Sequence, residues 1–319
     1  MHKVTITNNN ANQRLDKFLK KYLNAAPKGF LYKMLRKKNI TCNNNKAHGH
    51  EILREGDSIV FFLSEETLKK FMAEKETPIQ AGPLDIVFED ANILICNKPT
   101  GLLSQRSVAA PQDTLMDRIL FYLQKKGEYS TSIDATFTPG ICNRLDRNTS
   151  GIVVCGKNLP ALQWLNRQRQ LEKFYLAIVK GHIGQPGVLH GFHQKTAGNI
   201  SVLQPAEADG TKQAITEYIP IKSQQDVSLV EVKLVTGKSH QIRAHFSHMA
   251  HPICGDPKYG DAAYNRILAK RFGVRSQLLH AHKLVFCGEE GPLAYLSGLK
   301  VASKPPPQFR DTMVELGLN

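Results

Sequence analysis

Short apolar runs separated by glycine, proline and polar residues occupy most of the chain after residue 83. The runs read LDIVFED, NILICNKP, GIVVCGK, FYLAIVKG, SLVEVKLVTG and KLVF, and each has the length and composition of a β-strand. Two stretches, TLMDRILFYLQKK and LPALQWLNRQRQ, carry apolar positions at helical spacing instead. Many strands with few helices predict an α+β domain with a mixed, largely antiparallel sheet over residues 83–319. The tail from Lys304 opens with three prolines and is expected to leave this sheet.

The first 64 residues show helical periodicity followed by strand-like runs. An apolar stripe at positions i, i+3, i+4, i+7 and i+8 predicts an amphipathic helix, and its members are Leu15, Phe18, Leu19, Tyr22 and Leu23. A break at residues 27–29 precedes a second short helix, and ITCNNNKA and EGDSIVFFL predict strands with polar turns. We therefore expect a small separate domain over residues 1–64.

A change of composition separates the two regions. Residues 65–82 are polar and partly acidic and end in Pro78 and Gly82, which is typical of a linker. A chain of 319 residues has the length of about two domains. We expect domains over residues 1–64 and 83–319, joined by a linker over residues 65–82.

The charge of the chain indicates a class of partner. The sequence has 42 basic and 28 acidic residues, a net charge of +14 and a pI near 9.5, which favours nucleic acid or an anionic membrane. Residues 13–38 hold one acid, Asp16, and nine basic residues: Arg14, Lys17, Lys20, Lys21, Lys28, Lys33, Arg36, Lys37 and Lys38. Glutamates one helical turn away would balance such lysines on ordinary exposed helices, and here they are absent. The alternatives are a nucleic-acid-binding surface and a solvated helix face.

Cysteine spacing and hydropathy exclude several classes of protein. The six cysteines form no C-x-x-C pair, which excludes a zinc ribbon and a thioredoxin-like motif. No apolar run approaches the ~18 residues of a membrane span, and the N-terminus lacks the apolar core of a signal peptide. We expect a soluble, cytoplasmic protein.

Candidate chemistry begins with the segment NRLDRNTSGIVVCGK at residues 143–157. Asp146 lies between Arg144 and Arg147 and precedes an apolar strand. Neighbouring guanidinium groups favour the ionised form of a carboxyl group, and an ionised carboxylate at the start of a strand is a candidate nucleophile. The alternative is a surface salt bridge at a turn.

Two further segments carry candidate residues. In EKFYLAIVKG, Tyr175 begins an apolar strand, which is also the position of an ordinary core tyrosine. In KLVTGKSHQIRAHFSHMAHPICGDPKYG, a strand, a glycine turn, a short helix and a loop follow one another, and Arg243 lies among histidines with little counter-charge.

Together these segments resemble the RluA family of pseudouridine synthases. The family pattern H-R-L-D-x-x-T-S-G matches residues 143–151, with Asn143 in the place of the usual histidine. E-K-x-Y matches residues 172–175, and L-x-T-G-R-x-H-Q-I-R-x-H matches residues 234–245, with Lys238 for arginine. P-I-x-G-D-x-x-Y-G matches residues 252–260, L-H-A matches residues 279–281, and N-K-P-x-G matches residues 97–101. The resemblance extends from about residue 13 to about residue 300, because the basic helices and the L-R-E-G-D turn resemble the S4 RNA-binding domain.

The resemblance implies the fold, the reaction and the roles of individual residues. Asp146 would be the nucleophile, Arg243 its ion-pair partner, and Tyr175 would stack on uracil and handle the proton at C5. Four substrate-binding residues are also implied: Arg144, which enters the space of the flipped base, Leu234, which packs on uracil, and Lys98 and His240. The nine basic residues of the 13–38 segment would bind RNA.

The resemblance also implies the substrate and the absence of a cofactor. Breaking the N1–C1′ bond of uridine and joining C5 to C1′ needs no redox group, so no cofactor and no metal are expected. Domain order and chain length are most similar to members that modify 23S ribosomal RNA, acting as monomers away from membranes. A member that acts on transfer RNA or another RNA is the alternative.

Two other classes of protein compete with this interpretation. Four histidines within twelve residues, His240, His245, His248 and His251, would suit a metal-dependent hydrolase, but the H-E-x-x-H spacing of a zinc site is absent. A non-catalytic RNA-binding factor would be expected to have lost Asp146, Tyr175 or Arg243, and all three are present.

Overall fold

The N-terminal part of the protein is a four-stranded sheet covered by helices. The computed structural model describes residues 1–72, 82–106, 113–129, 137–167, 170–195, 201–204, 208 and 210–319. Residues 1–72, which we call the N-terminal module, contain in chain order β1 (His2–Thr5), α1 (Leu15–Tyr22), α2 (Lys28–Arg36), β2 (Ile40–Cys42), β3 (Asn45–Lys46), β4 (Ser58–Phe61) and α3 (Glu65–Phe71). The strands pair in the order β1-β4-β2-β3. Both predicted helices and the strands after them are confirmed.

Helices α1 and α2 form because their apolar stripes have one sheet to cover. Leu15, Phe18 and Leu19 of α1 are fully buried, as are Ile40 and Phe61 of the sheet. The Tyr22 ring stacks on both Phe18 and Phe61, with centroids 5.6 and 5.2 Å apart. The basic residues alternate with this stripe, and all nine of the 13–38 segment are exposed. We call these nine side chains the basic surface.

The predicted linker begins one helix too early. Residues 65–71 form α3, whose N-cap Ser64 accepts a hydrogen bond from the backbone N–H of Thr67. Leu68 is buried in the core of the N-terminal module, and the Phe71 ring lies 4.6 Å from that of Phe30. The polar composition that indicated a linker is that of a helix with only one face buried. The module therefore extends through α3, and residues 73–81 of the predicted linker lie outside the described residues.

The second part of the chain is organised around a large sheet. Its elements in chain order are β5 (Ile86–Glu89), β6 (Ile93–Lys98), α4 (Leu115–Lys125), β7 (Gly140–Ile141), β8 (Ser150–Gly156), α5 (Leu159–Leu165), β9 (Leu171–Lys180), β10 (Gly187–Lys195), β11 (Ser201–Gln204), β12 (Lys212–Ser223), β13 (Val227–Leu234), α6 (Gln241–His248), α7 (Ala262–Phe272), β14 (Leu279–Phe286), β15 (Lys300–Ala302) and α8 (Pro307–Glu315).

The described residues form an eleven-stranded sheet that is antiparallel except at one pair. The order is β11-β10-β12-β13-β9-β14-β8-β6-β5, with β15 beside β14 and β7 beside β8. Strands β8 and β14 run parallel. The predicted mixed, largely antiparallel sheet is confirmed. Alternate residues of β9 face two different cores: Tyr175 and Ala177 face a core covered by α4 and α6, and Ile178 faces a core covered by α7 and α8.

The sequence patterns missed some elements. The tail expected to leave the sheet forms α8, because Pro306 and Pro307 occupy the N-cap and the first helical position, where proline is tolerated. Phe309 of this helix is buried. In the described part of the chain, no helix has the length and apolar character needed to cross a lipid bilayer.

Candidate active site

A cavity of about 860 Å³ opens at one end of the central strands. Its wall is formed by the loop between β7 and β8, by β9, by the end of β13 and by the start of α6. Residues 103–106 close another side. Segments far apart in sequence meet here because the strands that carry them are neighbours in the sheet.

Asp146 lies in the loop between β7 and β8, and this loop is anchored on both sides of it. Before it, the hydroxyl group of Ser104 donates to the carbonyl of Leu145 (2.8 Å) and accepts from its N–H (3.1 Å). After it, the carbonyl of Arg147 accepts from the N–H of Gly101 (2.9 Å). The side chain at position 146 therefore projects from a loop that has little freedom.

Asn143 supplies a further anchor for the same loop. Its Nδ2 donates to the carbonyl of Ile152 and its Oδ1 accepts from the N–H of Val154, both at 2.9 Å. The last pair of the β7–β8 ladder is Ile141 with Cys155. The amide side chain thus prolongs the ladder toward Asp146, which is a structural role for the residue that replaces the family's usual histidine.

A glycine permits the close approach of β8 to β14 beneath the loop. Gly151 has φ of +117°, and a Cβ built on it would lie 2.2 Å from the carbonyl oxygen of Ala281. Next to it, Ser150 Oγ lies 2.9 Å from His280 Nδ1. A side chain at position 151 would separate the two strands and move the loop above them.

The Asp146 carboxylate is paired with Arg243 of α6. Arg243 Nη1 donates to Asp146 Oδ2 at 2.8 Å, and its Nε and Nη2 donate to the two oxygens of Asp256 at 2.6 and 2.8 Å. The Arg243 side chain is 5% exposed and that of Asp146 is 29% exposed. A buried guanidinium is therefore fixed by one carboxylate and presents its remaining edge to another that faces the cavity.

Electrostatics keep this arginine charged. Burial alone would lower the pKa of Arg243, but hydrogen bonding and the charges of Asp256 and Asp146 raise it. The partner of Asp146 is thus Arg243, as the resemblance implies, and not the flanking arginines. Arg147 donates its Nε to the carbonyl of Gly101, and Arg144 makes no hydrogen bond or ion pair within the described residues.

Tyr175 forms part of the cavity wall beside Asp146. It is 6% exposed. Burial, and to a smaller extent the charge of Asp146, raise the pKa of the Tyr175 phenol. The hydroxyl group therefore stays protonated at neutral pH.

His240 lies on the opposite flank of Asp146. It precedes α6 in the left-handed conformation, with φ of 54°, which aims its ring at the cavity. Its Nε2 is 3.8 Å from Asp146 Oδ2, and its Nδ1 is 3.0 Å from the hydroxyl group of Tyr259. Burial lowers the pKa of His240.

The structure brings most of the predicted site residues together. Six of them line the cavity: Arg144, Asp146, Tyr175, Leu234, His240 and Arg243.

Lys98, which the resemblance implies as a substrate-binding residue, does not line the cavity. Its side chain is fully buried, and its Nζ donates to the carbonyls of Pro99, Leu102 and Arg147 at 3.0, 2.7 and 3.0 Å. Burial lowers its pKa to about 7. Sequence could not distinguish a lysine that binds substrate from one that ties the Asp146 loop to β6.

The histidines do not form a metal site. Within the described ranges, no group of three or more potential ligands is suitably placed for a metal ion. His245 Nδ1 lies 2.8 Å from Thr216 Oγ1, and His251 Nδ1 lies 2.9 Å from the carbonyl of Lys180. His245 lies within α6 and His251 follows the end of this helix, so the two rings have different partners.

Sequence reasoning missed three residues of the site. Asp256 and Tyr259 lie in the segment matching P-I-x-G-D-x-x-Y-G, and the Arg243 guanidinium stacks 5.0 Å from the Tyr259 ring centroid. Lys173, in the segment matching E-K-x-Y, also lines the cavity. The signal available was their membership of these motifs, but only the fold shows what they contact.

Comparison with known proteins identifies the family. A family described as RNA pseudouridylate synthase matches residues 92–248. An uncharacterised RNA pseudouridine synthase of Aquifex aeolicus is 31% identical over 261 residues, covering 78% of this chain and 77% of the relative. The chain belongs to the RNA pseudouridine synthase family.

The names of two other relatives of this pseudouridine synthase family member refer to the large ribosomal subunit. Proteins named ribosomal large subunit pseudouridine synthase D from Borreliella burgdorferi and Zymomonas mobilis are 32% and 33% identical, covering 63% and 64% of this chain. The matches span 60% and 65% of the lengths of those two proteins. Domain order, chain length and the segment PKGFLYKMLRKKNI predicted ribosomal large subunit pseudouridine synthase C. The relatives named here are of type D, so that subgroup is not supported.

Solved structures agree with the fold. The human protein RNA Pseudouridylate Synthase Domain Containing 4 has a TM-score of 0.56 and 24% identity, covering 73% of this chain and 93% of that one. This similarity concerns the fold of the pseudouridine synthase part.

Proposed function

We propose that this protein isomerises uridines of 23S ribosomal RNA to pseudouridine, with Asp146 as the nucleophile. The observation that carries the proposal is the carboxylate of Asp146, held 2.8 Å from a buried arginine and facing a cavity beside Tyr175. Family membership supports the reaction type, and the names of two relatives support the large-subunit target.

The reaction makes four demands on a protein. The N1–C1′ bond must break, the base must turn, C5 must bond to C1′, and the C5 proton must leave. An ionised carboxylate has to reach the sugar, and water must be excluded from the activated centre. A paired base must also leave its stack.

Asp146, Arg243 and Asp256 serve the first step, the breaking of the N1–C1′ bond. Arg243 orients the Asp146 carboxylate through Oδ2, and within the described residues the other oxygen, Oδ1, has no side-chain donor and can approach the sugar. Asp256 holds two edges of the same guanidinium, so Arg243 remains in place when Asp146 becomes bonded to the substrate and loses its charge.

Tyr175, Leu234 and Arg144 serve the later steps and the departure of the base from its stack. In this proposal the Tyr175 ring stacks on the uracil and its hydroxyl group relays the C5 proton, while Leu234 packs on the other face. Arg144 is exposed and makes no polar contact within the described residues, so it can move into the gap left by the flipped base.

The N-terminal module is proposed to bind RNA as an S4-type domain. Its helices carry the basic surface, and nine exposed cations with one nearby acid suit a phosphate backbone.

The test uses Asp146→Asn, which keeps the shape of the side chain and removes its charge. Purified wild-type and variant proteins are incubated with 23S ribosomal RNA and with transfer RNA, and pseudouridine is mapped at single-nucleotide resolution. We expect modification of 23S RNA by the wild type only, with RNA affinity unchanged in the variant. Variant activity within about tenfold of wild type, a barrier change of only ~1.4 kcal/mol, would contradict the nucleophile. Modification of transfer RNA alone would contradict the target.

A further inference from the structure

Lys173 is a cavity residue with no role in the scheme above. It lies on β9 two residues before Tyr175, and alternate residues of a strand project from the same face. Both side chains accordingly line the cavity. The neighbour between them, Phe174, faces the other way and contacts Lys233 and Lys283, whose Nζ atoms lie 5.9 and 4.2 Å from its ring centroid.

The Lys173 ammonium has no counter-ion among the described residues. Lysines on the opposite face of the same sheet are paired: Lys233 with Glu172 at 2.6 Å and Lys283 with Glu231 at 2.8 Å. Cys142 is close to Lys173, but burial raises the pKa of its thiol to about 12, so it carries no charge at neutral pH. Burial lowers the pKa of Lys173, as expected for a cation in a poorly solvated place without a partner.

The proposed reaction generates a negative charge beside this position. When the N1–C1′ bond breaks, its electron pair stays on N1, and the uracil becomes an anion whose charge spreads to its two carbonyl oxygens. This happens whether Asp146 attacks C1′ directly or first assists formation of a glycal. In both routes Asp146 loses its negative charge as the uracil gains one, so the charge moves within the cavity to a group that needs a cation of its own.

We propose that the Lys173 ammonium donates a hydrogen bond to a carbonyl oxygen of the uracil and stabilises the uracil anion formed when the N1–C1′ bond breaks. No proton is transferred in this step. The negative charge returns to Asp146 when C5 bonds to C1′, and the base then loses the C5 proton and takes up a proton at N1. The inference rests on the proposed function and adds a catalytic residue to it. Pairing with the departing base explains why this half-buried lysine lacks a carboxylate partner among the described residues.

The first experiment compares Lys173→Met with Lys233→Met, the same change on the neighbouring strand outside the cavity. Single-turnover rates and RNA affinities are measured on a 23S RNA fragment. We expect Lys173→Met to lower the rate about 10²-fold, the usual effect of removing one donor to developing charge, with affinity unchanged within about twofold. Lys233→Met should match the wild type. Lys173→Arg, which retains a cation, should recover at least tenfold of the lost rate.

The second experiment separates charge stabilisation from a structural effect. Replacing the target uridine by 5-fluorouridine weakens the basicity of the departing base, because fluorine withdraws electrons. The anion then needs less help, so the defect of Lys173→Met, measured as formation of the C5-linked fluoro product, should shrink about tenfold. A defect of equal size on both substrates would overturn the inference, as would a full rate on uridine.

Other outcomes identify what Lys173 does instead. A weakened affinity, with the slope of log affinity against log salt reduced by roughly one, would assign it to a phosphate and overturn the proposal. Asp146→Asn is measured in parallel. If Asp146→Asn is inactive and Lys173→Met is normal, only this inference fails, whereas an active Asp146→Asn contradicts the proposed function itself.

Discussion

The Asp256 carboxylate has partners of two kinds among the described residues, Arg243 and backbone N–H groups. It accepts from Nε and Nη2 of the guanidinium and from the N–H groups of Lys258 and Tyr259 at 2.9 and 3.1 Å. Without it, Arg243 would keep a single carboxylate partner and lose its fixed plane. Asp256 is therefore a positioning residue whose effect on the reaction passes through Arg243.

The first prediction follows for Asp256→Asn. We expect kcat to fall roughly 10²-fold, because a misplacement of about 1 Å at the reacting group has effects of that size, while KM changes little. Steady-state kinetics on an RNA fragment measure both constants. Glu231→Gln, which loses an ion pair on the other face of the sheet, is the control and should leave kcat near that of the wild type. A rise in KM without a fall in kcat would contradict the positioning role.

Lys98 has a different effect, on stability. Its three carbonyl acceptors match the three donors of an ammonium group, yet burial lowers its pKa to about 7 from the usual 10.5. Between pH 7 and 10.5 the unfolded chain therefore binds a proton that the folded protein has released. The free energy of unfolding should rise with pH in that window from this group.

The second prediction concerns Lys98→Met. It leaves three buried carbonyls without a donor, so we expect a loss of about 2–4 kcal/mol in the free energy of unfolding near neutral pH. The difference between wild type and variant should widen as the pH rises from 7 to 9. Denaturant titrations at several pH values give both numbers, and a constant difference would show that Lys98 does not titrate in this range.

At the scale of elements, one pair of neighbouring strands supports the site. The parallel pair of β8 and β14 brings the loop of Asp146 above β9, which carries Tyr175, since β14 lies between β8 and β9. This arrangement needs Gly151, because its Cβ would meet the backbone of Ala281. The pairing of β8 with β14 and the position of the Asp146 loop therefore both require a residue without a side chain at position 151.

The third prediction separates steric contact from backbone conformation. Gly151→Ala should lower the thermal midpoint strongly and abolish most activity, because overpacking of about 1–3 kcal/mol adds to the strain of a positive φ. Gly101→Ala is the control: its φ is +86°, but nothing lies within 4 Å of an added Cβ. It should lose only the ~1–2 kcal/mol of the conformational strain. Equal thermal shifts in the two variants would show that the contact with Ala281 is not limiting.

At the scale of the whole molecule, the basic surface and the cavity belong to different regions of the chain. The N-terminal module carries the basic surface, and the cavity lies in the sheet that follows. Affinity for RNA and the rate of the chemical step should therefore respond to different substitutions.

The fourth prediction replaces four lysines of the basic surface, Lys17, Lys20, Lys33 and Lys37, by glutamine. If all four contact phosphates, the slope of log affinity against log salt should become shallower by roughly three, at about 0.7–0.9 per contact. KM for RNA should rise, and kcat at saturation should change much less. A salt titration beside steady-state kinetics measures these effects, with Lys270→Gln and Lys300→Gln as the control. An unchanged slope would mean that the basic surface is only a solvated face.

The sequence alone determined the local elements and the class of chemistry. Apolar positions at helical spacing predicted α1, α2, α4 and α5. Short apolar runs between glycine, proline and polar residues predicted β5, β6, β8, β9 and β13. Both patterns depend only on neighbours in the chain. The motif resemblance singled out Asp146, Tyr175 and Arg243, which the structure brings to one cavity. It also implied the pairing of Asp146 with Arg243, but not the further partners of these charges.

The tertiary structure decided those partnerships. Arg243 is 97 positions from Asp146 in the chain and 13 from Asp256, and the sheet brings all three together. Lys98 and Lys173 are both lysines within matching motifs. Lys98 is hydrogen-bonded to three carbonyls, whereas Lys173 faces the cavity with no counter-ion among the residues that the structure describes. A side chain's residue type sets what it can bind, but its neighbours in space, supplied by distant strands, set what it does bind.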